Sequence, residues 1–176
     1  LNRNGPYDRV ETNGEVLCVA IDPKEEVYAV ACSDGTVSVF DIKSNEKRCC
    51  LEFVFKSFGD IRLMNSRHTL TWSVDGAHLY VPSQGCVKVI ERDGWIISYN
   101  SLKAEGTASD VFSTSCLSRC GRYLCSSTLS NKILVWNLED ESVLAQYEYR
   151  RKEKATISCM KFIPFSEKDI VLVDID

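Results

Sequence analysis

The same short pattern occurs three times in this 176-residue chain: a tight turn, an alternating strand, a bulky residue and then a polar one. It reads SDGTVSVFDI, SQGCVKVIER and LSNKILVWNL, with Phe40, Ile90 and Trp136 in the bulky position, 50 and 46 residues apart. Ile21, Trp72 and Leu117 lie in an earlier strand, 19, 18 and 19 residues before those positions. Phe162 marks a fourth such strand, so the successive separations are 51, 45 and 45. Successive side chains of a strand point to opposite faces, so a strand that is large on both faces needs neighbours on both. A sheet built from such strands has two apolar faces and buries neither alone. Stacking one repeat on the next removes that surface from water.

Repeats of about 40–50 residues with four strands each are the sequence sign of a β-propeller of the WD type. The predicted fold is therefore all-β: a partial WD40-type β-propeller of about three and a half four-stranded blades. Residues 1–13 read as a connecting tail from a preceding blade, residues 14–55 as a blade, and residues 56–102 as a link followed by a blade. Residues 103–149 read as a loop and a blade, and residues 150–176 as the start of a further one, all in one propeller domain. Asp22-Pro23 and Asp34-Gly35 punctuate the first repeat as turns. Pro82 removes a ladder donor, which predicts an edge or a bulge at that point. The segment 56–67 is long for a connection, and is either packed on the rim or a binding element.

Within a repeat, Asp34 stands six residues ahead of Phe40, where a carboxylate helps to close a hydrogen-bonded network that locks a WD blade; Gln84 and Ser130 take the matching places. Asp34, Phe40, Trp72, Ile90 and Trp136 are the predicted structural residues of the blades. The first residue is Leu, and the last six, VLVDID, stop in mid-strand, so the chain is expected to be a piece of a longer protein.

Composition closes off several functions. With 21 Lys and Arg against 25 Asp and Glu, the net charge of −4 provides no global basic field for nucleic acid. No run of 18 apolar residues offers a membrane helix. Nine cysteines are many, but six of them (Cys18, Cys32, Cys86, Cys116, Cys125 and Cys159) fall in predicted strands, where a thiol serves as a small apolar group. Cys116, Cys120 and Cys125 come nearest to a metal cluster, without a C-x-x-C pair or a nearby histidine. Reduced thiols of the cytosol or nucleus are the expectation. The two histidines, His68 and His78, lack a nucleophile and an orienting group, and His68 fits the histidine that opens many WD repeats. No catalytic residue, cofactor, metal or small-molecule substrate is predicted. Arg150, Arg151, Lys152 and Lys154 form the one concentrated basic feature. They are candidate contacts for a phosphate backbone or an acidic partner, or else a solvated loop diluted by Glu148 and Glu153.

EVLCVAIDPKEEVYAVACSDGTVSVFDI and LTWSVDGAHLYVPSQGCVKVIERDGW resemble the amino-terminal propeller of the WD repeat and HMG-box DNA-binding protein family, the acidic nucleoplasmic replisome adaptors related to the yeast chromosome transmission fidelity factor. Val81-Pro82, Val87-Lys88-Val89, Arg92 and Trp95 carry the resemblance. A generic WD repeat does not place Pro in that strand or close it with Arg-x-x-Trp. The resemblance implies a nuclear (nucleoplasmic) scaffold that tethers the replicative helicase and DNA polymerase alpha in replication and repair. In that family, trimer formation and polymerase tethering belong to a second propeller and DNA binding to the HMG box, so none of those residues carries over. Protein or chromatin contacts are what the resemblance implies for this propeller. Two rivals stand beside that reading: the propeller of an unrelated assembly, such as a ubiquitin-ligase substrate receptor, and a propeller that binds DNA directly.

Overall fold

The structure is a computed structural model, and it describes residues 9–52, 54, 69–148, 157–163 and 170–174. Alternating β-branched and aromatic residues between Gly-, Asp- and Ser-containing turns give fourteen strands among them. The first sheet contains β1 (Val16–Ile21), β2 (Val27–Cys32), β3 (Val37–Asp41) and β4 (Lys47–Leu51). The second contains β5 (Thr71–Trp72), β6 (His78–Pro82), β7 (Val87–Glu91) and β8 (Ile96–Ile97). The third contains β9 (Phe112–Leu117), β10 (Tyr123–Thr128), β11 (Lys132–Asn137) and β12 (Ser142–Glu148). β13 (Ile157–Phe162) pairs with β14 (Ile170–Asp174). Each four-stranded sheet is an antiparallel meander in chain order, as a partial WD-type propeller requires. Ile21, Trp72, Leu117 and Phe162 are each the last residue of a sheet's first strand, so the sequence period is the structural period.

Alternation decides which face of a sheet meets which neighbour. Leu79, Val81 and Ile90 of the second sheet pack with Val27, Ala29, Ala31, Val37 and Val39 of the first. Tyr80, Val87 and Val89 leave the opposite face of the second sheet and pack with Phe112, Leu124, Leu134 and Trp136 of the third. Cys125 and Ile133 carry the third sheet onto Ile157 and Met160 of β13. First strands touch first strands (β1 with β5, β5 with β9, β9 with β13), which places them on the inner side of the stack.

Of the bulky residues, Ile90 and Trp136 lie in these seams, while Phe40 packs with Val30, Cys32, Val10 and Tyr28 on the other face of the first sheet. Phe40, Ile90 and Trp136 are all fully buried. Trp136 also donates its indole N–H to the Ser126 hydroxyl at 3.0 Å, so its one polar atom is not stranded. Trp72 donates from Nε1 to the Ala20 carbonyl of the first sheet at 3.2 Å. Pro82 is the last residue of β6 and lies past the β5–β6 ladder of Thr71 with Tyr80 and Trp72 with Leu79. Its missing N–H therefore costs that ladder nothing.

Candidate interaction surface

The hairpin turns at one end of the sheets obey a common rule. The first hairpin of each sheet opens with a residue whose side chain caps the N–H of the returning strand. Ser73 accepts from His78 N at 2.9 Å and Ser118 from Tyr123 N at 3.0 Å. Asp22 does the same with one carboxylate oxygen, which accepts from Glu26 N at 2.8 Å and Val27 N at 3.0 Å. The serine hydroxyls then turn back into their own hairpins, Ser73 donating to Asp75 Oδ1 at 2.6 Å and Ser118 meeting Cys120 Sγ at 3.3 Å, whereas the aspartate has a second oxygen free to leave its hairpin.

That second oxygen meets Arg92 of the second sheet. Arg92 Nη1 lies 2.8 Å from Asp22 Oδ2, and Nη2 lies 2.6 Å from Glu26 Oε2. The Asp22 side chain is 0% exposed, Arg92 23% and Glu26 63%. Arg92 follows the bulky Ile90 by two residues, where the other two repeats carry Ile42 and Leu138. The backbone is unchanged by this: Arg92, Ile42 and Leu138 each donate their N–H to the equivalent carbonyl, of Ala77, Glu26 and Arg122. Two departures from the repeat, in neighbouring sheets, have thus been matched into one clamp. Burial pushes the Asp22 carboxyl up, but the Val27 and Glu26 N–H groups and the Arg92 guanidinium outweigh it and hold the pKa below its ordinary value.

The last hairpin of each sheet has a left-handed residue at its fifth position. Asn45 (φ 57°), Trp95 (φ 52°) and Glu141 (φ 59°) occupy it in turn. Asn adopts that region readily, whereas a bulky residue there is an outlier. Trp95 is held in place by an edge-on contact with Trp72, with ring centroids 6.3 Å apart and planes at 79°. It forms one wall of a cleft of about 340 Å³, whose other lining residues are Glu26, Val27, Asp41, Lys43, Arg48 and Arg92. Arg48 bonds Asp41 and holds that carboxyl well below the usual carboxylate range. A second cleft of about 390 Å³ lies on the other side of Arg92, among Lys24, Gly76, Ala77, His78, Glu91 and Asp93. The cleft thus combines an aromatic wall with three cations and two carboxylates, groups that can contact a polypeptide side chain.

Asp34 lies away from this surface, in the β2–β3 turn, where it accepts from Thr36 N at 3.0 Å and from the Thr36 hydroxyl at 2.7 Å. Phe40, Ile90 and Trp136 are interior, and of the five blade residues only Trp72 reaches this surface, through Trp95. Arg150, Arg151, Lys152 and Lys154 lie outside the described residues, as do His68 and the long segment 56–67. Among the described residues, no group of three or more His, Cys, Asp or Glu is arranged to hold a metal, and no helix is long and apolar enough to cross a membrane. Sequence reasoning saw Arg92 and Trp95 only as marks of resemblance and read Asp22 only as turn punctuation. The signal for the clamp lay in aligning the repeats, where Asp22 replaces serine and Arg92 replaces an aliphatic residue.

The family model described as WD domain, G-beta repeat matches residues 8–41. The chain is 28% identical over 138 residues to WD repeat and HMG-box DNA-binding protein 1 of Mus musculus, 26% over 138 residues to that of Homo sapiens, and 28% over 142 residues to that of Xenopus laevis. Each match covers 77% of this chain and 12% of the relative, so the chain spans about an eighth of their length. Among solved structures, U3-55K superimposes with a TM-score of 0.64 at 15% identity, over 81% of this chain and 42% of that one. The RRP9 WD40 repeats give a TM-score of 0.64 at 14% identity, over 80% and 40%. At those identities the structural likeness establishes the propeller fold alone.

Proposed function

We propose that this chain, a WD-repeat propeller protein of the WD repeat and HMG-box DNA-binding protein family, is a non-catalytic interaction scaffold of the nucleus. The relatives carry DNA binding in their name, and their match over 77% of this chain is the observation that carries the reading. The finer assignment is that the full protein links the replicative helicase to DNA polymerase alpha, with this propeller contributing one protein contact. The mechanism is rigid display. Stacked sheets fix the turns, and the turns present side chains without themselves rearranging. The Trp95 cleft supports this role, because a bulky residue in a strained turn marks a position where the surface is specified.

The test is a titration of the purified chain against purified replicative helicase, purified polymerase alpha and a bare DNA duplex. Binding to one of the protein assemblies is expected, and Trp95→Asn, which installs the residue found at Asn45, is expected to weaken it at least tenfold. The same change relieves backbone strain but loses the Trp72 contact and the packing of Trp95 on the seam between the first and second sheets. A stability loss of about 1–2 kcal/mol is therefore expected, and binding is compared under conditions where both chains are folded. Failure to bind either assembly removes the proposed link. Tight duplex binding that falls steeply with salt would instead make the propeller itself a DNA-binding element.

A further inference from the structure

We propose that Cys116 and Cys125, directly opposed on neighbouring strands of the third sheet, are a redox pair that closes reversibly to a disulfide. All nine cysteines are free thiols in the structure. Among the described strands, these two alone are ladder partners. Cys18 faces Ala31, Cys159 faces Val173, and Cys49 and Cys50 are sequence neighbours whose side chains leave opposite faces. The same ladder position carries Ala20 with Ala29 in the first sheet and Thr71 with Tyr80 in the second, so the fold does not demand thiols there.

Opposed residues of an antiparallel pair have Cβ atoms about 4.5–5.5 Å apart, just beyond the usual disulfide range of about 3.5–4.5 Å. Closure therefore needs only a small pinch of the ladder and gives a strained, readily reduced bond. Both side chains face the seam with β13, where Cys125 Sγ lies 3.8 Å from the Met160 sulfur. The two thiols differ in access. Cys125 is 0% exposed, whereas Cys116 is half-buried and is the sulfur an oxidant reaches. Cys116 is also the stronger acid. The Cys125 thiol and the Phe162 backbone N–H stabilise its thiolate against the opposing effect of burial.

With a peroxide as oxidant, the Cys116 thiolate attacks one oxygen. An S–O bond forms, the O–O bond breaks, and the departing oxygen leaves as water with the proton that Cys116 released. The Cys125 sulfur then attacks the Cys116 sulfenic acid. The S–S bond forms, the S–O bond breaks, and a second water leaves with the Cys125 proton. Two thiols have lost two electrons and one peroxide has gained them. The new bond draws Cys125 off Met160, so the redox state is felt at the seam with β13.

The experiment treats the full chain with hydrogen peroxide, blocks the remaining thiols by alkylation and maps the peptides by mass spectrometry. Titratable thiols are expected to fall from nine to seven, with Cys116 linked to Cys125 and both recovered by dithiothreitol. Cys125→Ala, which installs the residue found at Ala29, is expected to stall at a Cys116 sulfenic acid that a dimedone probe labels, and Cys116→Ala to give neither product. Oxidation confined to the exposed Cys120, or a link through any other cysteine, overturns the proposal, as does an unchanged thiol count when near-ultraviolet circular dichroism shows the chain folded.

Discussion

Asp22 and Arg92 show how one pair of residues can tie two repeats together at a definite energetic risk. A fully buried carboxylate is costly without a cation, and Arg92 is the cation within reach. Arg92→Leu installs the kind of residue the other repeats use but leaves Asp22 with its two backbone N–H groups alone. A loss of about 2–4 kcal/mol is expected from urea unfolding followed by tryptophan fluorescence. Asp22→Ser keeps the cap, as Ser73 and Ser118 do, and frees Arg92 toward Glu26 and water, so about 1–2 kcal/mol is expected. The double variant returns both positions to the repeat pattern and is expected to lose at least about 1 kcal/mol less than the sum of the singles. Equal additivity would show that the two side chains do not interact. The pH dependence has a definite sign. The folded Asp22 pKa lies below its ordinary value of 3.8, so its contribution is fully present above about pH 4 and is lost as pH falls through the folded value. Wild-type stability is expected to decline below pH 4 more steeply than that of Asp22→Ser, measured as urea midpoints between pH 5 and 2.5.

At the level of strands and turns, the β6–β7 hairpin shows why one glycine differs from another. Gly85 has φ 74°, and a Cβ there would lie 2.9 Å from the Ala108 carbonyl oxygen; Gly94 also has φ 74°, but its nearest neighbour would be Ile96 Cγ2 at 3.9 Å. Gly85 N also donates to the Asp110 carbonyl at 2.8 Å, tying the turn to the loop that leads into the third sheet. Gly94→Ala is expected to cost about 1–2 kcal/mol for the left-handed backbone alone, and Gly85→Ala clearly more, by thermal unfolding. Equal costs would mean that the 103–110 loop does not press on that turn. The strands themselves were legible in the sequence because alternation and turn residues are local, and Phe40, Ile90 and Trp136 recur at one place in each third strand. What was not legible depends on contacts between repeats. The Asp22–Arg92 ion pair spans 70 residues, and no period within one strand reports it. Trp95 looked like a mark of kinship, because only the backbone shows that it occupies the left-handed place of Asn45 and Glu141.

For the molecule as a whole, the second and third sheets owe their stability to the sheets on both sides of them, since both faces are apolar and each face has its own partner cluster, while the first sheet shares one face with the second. Such a stack is stiff where the sheets interlock and open to contact where the turns emerge. A partner that grips the Trp95 cleft should therefore alter the turns and leave the strands as they were. Hydrogen–deuterium exchange of the chain, free and in complex with a bound protein partner, tests this most directly. The expected result is added protection at residues 23–26, 42–46 and 92–95, with β2, β3, β6 and β7 exchanging as slowly as before. Protection confined to other turns, or faster exchange in those four central strands on binding, would contradict a scaffold that works by rigid display.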